Sequence, residues 1–143
     1  MSERAVRPLP VPDDLTRPFW EAAREHRLVI QRCQSCEAFQ HPPRPACAAC
    51  GGGQLDWTPI SGHGEVYSYI IDRRLLIPSF EEPYAVAQIN PIEADDDAVR
   101  ITANIVECEL DAVEIGMPVE AVFEDVDDRT SLPQFRRRGL DSN

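Results

Sequence analysis

The chain has 143 residues, a mass of 16.1 kDa and a formal net charge of -11. This length fits one compact domain or two small modules, and excludes two full-sized enzyme domains. All 14 basic residues are Arg, so chemistry that requires a lysine, such as Schiff-base formation or a P-loop, is excluded.

The negative charge is concentrated in the second half of the chain. Residues 1–60 hold seven acidic residues and seven Arg, whereas residues 61–143 hold 18 acidic residues and seven Arg. An acidic surface repels phosphate backbones, so the charge argues against a nucleic-acid partner.

The sequence contains neither an apolar run of about 20 residues nor the apolar core of a signal peptide. We therefore predict a cytoplasmic protein that does not span a membrane. In that compartment, five Cys indicate metal ligands or free thiols rather than a disulfide framework.

A single short helix is predicted near the N-terminus, after an extended, proline-rich lead-in over residues 1–14. Thr16 or Arg17 can cap this helix, Pro18 suits its first turn, and the pattern ends near His26. Phe19 and Trp20 give the helix more apolar area than docking normally requires. Two interpretations stay open: both aromatics fix the helix to the body, or they face a partner.

The remainder of the chain predicts a mainly β protein. Residues 28–32 read as a strand that leads into Cys33, and the segment between Cys33 and Cys50 lacks an apolar pattern. Strand-forming residues separated by turn formers occur at residues 55–60, 65–71, 84–89, 99–106 and 119–126. About five strands without helices between them indicate a small barrel of the OB type. Residues 129–143, with three consecutive Arg, predict an exposed tail.

The four cysteines Cys33, Cys36, Cys47 and Cys50 form two C-x2-C pairs separated by ten residues. Such pairs supply four thiolates to one tetrahedral ion, for which zinc is favoured over the alternative, iron. Because four ligands fill the coordination shell, the ion is expected to be structural rather than catalytic. The fifth cysteine, Cys108, is predicted to be a buried small hydrophobe rather than a reactive thiol.

Candidate catalytic groups are few. His63 lies between two glycines in Ser-Gly-His-Gly, which favours a strand-entry turn with an exposed side chain over a general base. Residues 95–97 are three Asp without the spacing of a calcium loop, which favours an exposed hairpin tip. No acid–base pair is evident, so the sequence predicts no catalytic residues.

These motifs together resemble the zinc-ribbon plus OB-fold proteins associated with acyl-CoA, known as domain of unknown function thirty-five. The resemblance covers residues 19–135. It rests on the cysteine pairs together with Pro18-Phe19-Trp20-Glu21, Pro42-Pro43-Arg44, Trp57, Ser61-Gly62-His63-Gly64-Glu65-Val66-Tyr67-Ser68, Pro83-Tyr84, Ile115-Gly116-Met117-Pro118-Val119 and Leu132-Pro133-Gln134-Phe135.

The resemblance implies an N-terminal helical piece over residues 1–27, a rubredoxin-like zinc ribbon over 28–60, an OB-fold over 61–135 and a tail over 136–143. Such proteins are non-catalytic partners of thiolase-fold enzymes, including thiolases and the lipid-transfer-protein-like aldolases of steroid side-chain degradation. The expected function is therefore that of an accessory subunit in a hetero-oligomer, which helps to bind or channel acyl-CoA. The chain is expected to be either a natural small subunit or a domain excised from a hydratase fusion.

Two other functions stay open at this stage. A stand-alone acyl-CoA carrier would need Arg residues that converge on the CoA phosphates, and the candidates are Arg44, Arg73, Arg74 and Arg100. In the family, Arg or Lys often occupies the place of His63, so this chain offers less positive charge there. A single-stranded nucleic-acid-binding OB protein is the remaining alternative, which the acidic charge disfavours.

Overall fold

The chain folds into a short helix, a three-stranded sheet and a five-stranded barrel, as seen in a computed structural model that describes residues 10–72, 83–94, 99–128 and 130–139. The helix α1 spans Arg17–Arg24, and a single 3₁₀ turn spans Leu110–Ala112. The strands are β1 (Leu28–Cys33), β2 (Phe39–Gln40), β3 (Leu55–Ile60), β4 (His63–Asp72), β5 (Tyr84–Pro91), β6 (Ile101–Val106), β7 (Pro118–Asp125) and β8 (Ser131–Arg137).

Helix α1 begins at a reciprocal turn between Asp13 and Thr16. The N–H of Thr16 donates to Asp13 Oδ1 at 2.8 Å, and the N–H of Asp13 donates to Thr16 Oγ1 at 3.1 Å. His26, with a φ of 60°, adopts the left-handed conformation typical of a chain leaving a helix. The helix therefore lies where the sequence predicts it.

Strand β1 is the centre of the three-stranded sheet, with β2 on one side and β3 on the other. The antiparallel register of β1 with β3 runs from Leu28 opposite Ile60 to Cys33 opposite Leu55. The strand count that grouped residues 55–60 with the barrel was therefore wrong, whereas the ribbon over 28–60 that the family resemblance implies includes β3. Strand composition identifies a strand but not its partner, and β3 pairs along its whole length with β1.

The barrel has the closed order β4-β5-β6-β8-β7, in which β7 also pairs with β4. The predicted tail over residues 129–143 was wrong for residues 131–137, because these form β8 and close the barrel. Phe135 of β8 is 1% exposed. Arg136 extends to Glu120 at 2.9 Å and Glu107 at 3.2 Å, so one of the three consecutive Arg forms ion pairs on the barrel wall. The barrel thus continues past the predicted boundary at residue 135.

The main core lies inside the barrel, and Phe19 and Leu28 extend it towards α1 and the ribbon. A smaller cluster of Ile30, Ala94 and Val99 packs β1 against the barrel. The part of the chain that the structure describes contains no helix long and apolar enough to cross a membrane.

Candidate functional site: a four-cysteine metal centre

The structure brings together the four cysteines that the sequence predicts as metal ligands. Their Sγ atoms all lie within 4.8 Å of one another. Two sulfur contacts join the two C-x2-C turns, here called knuckles, with Cys33 and Cys50 at 3.7 Å and Cys36 and Cys47 at 3.6 Å. Cys33 is the last residue of β1, and Cys36 lies in the turn between β1 and β2. Cys47 and Cys50 lie between β2 and β3.

The two knuckles have the same backbone design. In the first, the N–H groups of Ser35 and Cys36 point at Cys33 Sγ, at 3.3 and 3.5 Å. In the second, the N–H of Ala49 points at Cys47 Sγ at 3.3 Å. The residue after each pair has a positive φ, which is 66° at Glu37 and 79° at Gly51. Only the second knuckle has glycine, the residue that most readily adopts a positive φ, at this position. The sequence therefore reveals this turn in the second knuckle but not in the first.

The electrostatics of the four sulfurs favour a bound cation. The backbone N–H of Cys36 is the main cause that lowers the pKa of Cys33 to about 6, and the N–H of Cys50 similarly lowers that of Cys47. The N–H of Gly52, the largest single influence, lowers the pKa of Cys50, but the three neighbouring sulfurs together raise it to about 12. Four thiolates in one place repel each other, and a metal ion offsets that repulsion. The residues therefore fit a metal ion with four sulfur ligands.

Two buried glutamines hold the metal-binding loop against the sheet. Gln31 on β1 donates to the carbonyl of Arg44 at 3.0 Å and accepts from its N–H at 2.9 Å. Gln40 donates to Gln31 Oε1 at 2.7 Å and accepts from the N–H of Ala48 at 2.9 Å. The residues predicted from sequence do not include this pair, although a Gln inside the apolar run of β1 is the signal that identifies it.

His63 differs from the sequence prediction. It begins β4, its side chain is half-buried, and its Nδ1 accepts a hydrogen bond from Arg138 Nη1 at 2.9 Å. The prediction of an exposed side chain was wrong, because the end of β8 brings Arg138 beside it. Since arginine only donates, Nδ1 is used as an acceptor and is not free to abstract a proton.

Cys108 lies just after β6 and is half-buried rather than fully buried. Its Sγ is 3.5 Å from the carbonyl oxygen of Glu109, and its side chain packs on the barrel core. The predicted full burial of the thiol was therefore wrong, because the side chain is only partly buried. Cys108 lies two positions beyond the end of β6 at Val106.

The candidate CoA-binding arginines have separate surroundings. Arg44 is exposed and is anchored through its backbone to Gln31, whereas the guanidinium of Arg100 lies 3.9 Å from the ring centroid of Tyr67. Arg73 and Arg74 lie outside the described residues, as do the three Asp at 95–97. A CoA site built from these arginines stays a prediction.

The two adjacent aromatics of α1 have different environments. Phe19 is 8% exposed and joins the barrel core, which leaves little of its ring for a partner. Trp20 is half-buried and meets Phe19 edge to face, with ring centroids 5.0 Å apart. Of the two residues predicted to bind a partner, Trp20 therefore has the larger exposed side-chain surface.

A four-cysteine ribbon joined to a five-stranded barrel defines this chain as a ribbon plus OB-fold protein. Two family models match the chain, one over the ribbon and one over the barrel. Residues 20–56 match the family described as ChsH2, rubredoxin-like zinc ribbon domain, and residues 57–124 match ChsH2, C-terminal OB-fold domain.

Individual proteins show the same similarity. A probable enoyl-CoA hydratase alpha subunit of Thermomonospora curvata is 40% identical over 93% of this chain, which spans only 40% of that subunit. A DUF35 domain-containing scaffold protein of Methanocaldococcus jannaschii is 36% identical over 81% of this chain and 84% of that protein. Among solved structures, a chain of the Ltp2-ChsH2(DUF35) aldolase superimposes with a TM-score of 0.80 at 39% identity, over 90% of this chain and 98% of that one. The chain belongs to the DUF35 family.

Proposed function

We propose that this chain is a non-catalytic accessory subunit, which binds and stabilises a thiolase-fold, lipid-transfer-protein-like enzyme that acts on acyl-CoA. One observation carries the proposal, namely the similarity over 98% of a chain from a two-component aldolase. The similarity to an enoyl-CoA hydratase subunit favours an acyl-CoA pathway. Steroid side chains are the acyl class that the family resemblance favours.

The described residues support a non-catalytic role. Four sulfurs would complete the coordination of a metal ion and leave it no position for substrate. His63 is engaged with Arg138, and His26 Nε2 lies 2.8 Å from Asp125 Oδ1 at the surface. An acyl-transfer or carbon–carbon cleavage site needs a nucleophile beside a base, and neither histidine has such a neighbour among its described contacts.

We further propose that the metal is zinc. The sulfur donor set alone suits zinc or iron. The match to a zinc ribbon family over residues 20–56 favours zinc. The ion would hold the two knuckles together. It would thereby fix the shape of the ribbon surface on which a partner docks.

Co-expression tests the subunit role. The full chain would be produced with the thiolase-like and lipid-transfer-protein-like enzymes encoded beside it in its genome, and each pair analysed by size exclusion with metal analysis. We expect one enzyme to elute with the chain as a zinc-containing complex. Its aldol-cleavage or thiolysis activity should fall at least tenfold without the chain. If no pair co-elutes and no neighbouring activity changes, the proposal is wrong.

Trp20→Ala tests whether α1 faces the partner. Trp20 is half-buried on α1, so its removal should weaken the complex about tenfold or more if the indole is an interface anchor. Tyr67→Ala is the matched control, because Tyr67 is an aromatic residue 47% exposed on the barrel wall. Equal affinities of the two variants for the partner would show that α1 is not the docking surface, even if the complex itself forms.

A further inference from the structure

Strand β4 extends beyond the strand that flanks it in the barrel. It pairs with β7 only over residues 63–65, whereas its pairing with β5 continues to Asp72. A β-bulge lies between Val66 and Ser68, just past the residues that pair with β7. Among the described residues, no strand and no backbone hydrogen bond reaches residues 68–71 from the side opposite β5. We call residues 68–72 the β4 edge.

The side chains of the β4 edge are less covered than those of the same strand beside β7. Val66 is 1% exposed, whereas Tyr69 and Ile71, which pack against the same core, are only half-buried. Ile70 lies on the outer face of the barrel and is 63% exposed. A strand edge that exposes large apolar side chains is a surface that pairs readily with another strand.

The bulge determines which backbone groups face outward along the β4 edge. Before the bulge, Val66 donates its N–H to the carbonyl of Met117 and accepts from the N–H of Gly116, away from β5. The extra residue of the bulge shifts this alternation by one position. Beyond the bulge, the register therefore directs the N–H and C=O groups of Tyr69 and Ile71 away from β5.

The β4 edge is complementary to a second, antiparallel copy of itself. Pairing centred on Ile70 sets Tyr69 opposite the second copy's Ile71. The same pairing sets Ser68 opposite the second copy's Asp72. Aromatic residues opposite β-branched residues stabilise antiparallel sheets, and no two like charges face each other in this register. The outward backbone groups of Tyr69 and Ile71 also meet as a hydrogen-bonded pair.

We propose that the β4 edge pairs with the same edge of a second copy of this chain, which joins the two barrels across a two-fold axis. Such a contact is closed, so assembly ends at a dimer. The pairing covers the half-buried side chains of Tyr69 and Ile71 in both copies. A short strand edge buries less area than a standard interface, so the dimer is weak and its population depends on concentration. It does not depend on the metal centre or on the accessory role proposed above.

Charge opposes this dimer and provides one of its signatures. Each copy carries a net charge of -11, but Asp72 is the one charged residue of the β4 edge. Its Oδ2 accepts a hydrogen bond from Tyr84 Oη at 2.9 Å. Salt screens the repulsion between the two acidic bodies, so an increase from about 50 to about 500 mM NaCl should strengthen dimerisation about threefold or more.

Two measurements on the full, zinc-loaded chain test the proposal. Sedimentation equilibrium from about 5 to about 500 µM protein should show a monomer in equilibrium with a dimer. Amide hydrogen exchange, followed by NMR at both ends of this range, should show where the two copies meet. The amides of Tyr69 and Ile71 should exchange at least twofold more slowly in the concentrated sample, whereas that of Ile70, which faces β5, should not change.

Substitutions locate the contact and its register. Ile70→Lys sets two positive charges opposite each other on the two-fold axis and should weaken the dimer at least tenfold. Ile92→Lys is the matched control, because Ile92 is 55% exposed, lies beyond the end of β5 and gains the same charge. It should change the dimerisation constant less than threefold. Ser68→Lys sets opposite charges across the pair at Asp72 and should tighten the dimer at least twofold more than Ile92→Lys does.

Ser68→Lys keeps the proposal testable if Ile70→Lys does not fold. A chain that stays monomeric at the highest concentration in about 500 mM salt would overturn the proposal. So would a dimer that tolerates Ile70→Lys, or one that leaves the amides of Tyr69 and Ile71 unprotected. Since these measurements use the chain without an enzyme partner, a negative result leaves the accessory role unaffected.

Discussion

Gly64 is the residue at which a single added methyl group conflicts most directly with the fold. A Cβ there would lie 2.5 Å from the carbonyl oxygen of Asn90 and 2.8 Å from Ile89 Cγ2. Gly64→Ala gains about 0.4–1 kcal/mol from a less flexible unfolded chain, but overpacking costs about 1–3 kcal/mol. We expect a net loss of about 1–2 kcal/mol in the free energy of unfolding, measured by chemical denaturation.

Gly53→Ala is the control for this substitution. No atom lies within 4 Å of the Cβ that it would add. It should leave the stability unchanged or raise it slightly. Equal destabilisation by the two substitutions would show that the close approach to Asn90 does not explain the glycine.

His41 should make the stability of the fold sensitive to mild acid. Its pKa, ordinarily 6.5, is lowered to about 4 by burial. As the pH falls from about 6.5 to about 4, the unfolded chain takes up a proton at this residue and the folded chain does not. Stability from this group is complete above about pH 6.5 and falls by about 3 kcal/mol towards pH 4.

Denaturation of His41→Phe at several pH values checks this prediction. The variant should show a shallower loss of stability between pH 6.5 and 4 than the unmodified chain, whatever its stability at neutral pH. His63→Gln is the control, and it should keep the steep acid dependence because it leaves His41 in place. A His41→Phe profile parallel to that of the unmodified chain would contradict the assigned cause.

At the scale of elements, we expect the ribbon to depend on a bound metal ion. Across residues 42–54 the only buried residue is Cys47, which is 5% exposed, so this loop has no apolar core of its own. Cys47→Ser should reduce the bound zinc from about one ion per chain to well below half, since it removes one of the four thiolates that would hold the ion. The Cys47→Ser substitution should also lower the melting temperature of the protein.

Cys108→Ser is the matched control, because it removes the thiol that lies outside the metal cluster. It should keep one zinc per chain in metal analysis. A Cys47→Ser protein that keeps a full equivalent of zinc would show that the four sulfurs do not form the proposed site.

The sequence predicts the elements of this fold better than it predicts their pairing. The C-x2-C spacing identifies the four clustered cysteines because the geometry of the cluster is local to two turns. By contrast, the composition of β3 does not reveal that it lies beside β1, and β8 resembles a tail because Pro133 and consecutive Arg are unusual in a strand. Their positions depend on contacts distant in sequence, such as that of Arg136 with Glu107.

At the scale of the whole molecule, charge distinguishes this OB barrel from those that bind single-stranded nucleic acid. The net charge is -11, and several arginines already form ion pairs with carboxylates. These pairs are Arg17 with Asp14, Arg27 with Glu25, Arg32 with Glu37, and Arg136 with Glu107 and Glu120. Binding to a phosphate backbone requires cations that replace its counterions, and paired arginines on an acidic surface do not supply them.

We therefore expect no complex with a fluorescent 20-nucleotide oligo-dT at micromolar protein, measured by anisotropy in about 50 mM salt, where phosphate contacts are strongest. The double variant Glu107→Gln and Glu120→Gln frees Arg136 but leaves the molecule acidic, so it should not bind either. An affinity that weakens steeply with salt would instead mean that a local cluster of arginines outweighs the net charge, and nucleic acid would then return as a candidate partner of the barrel.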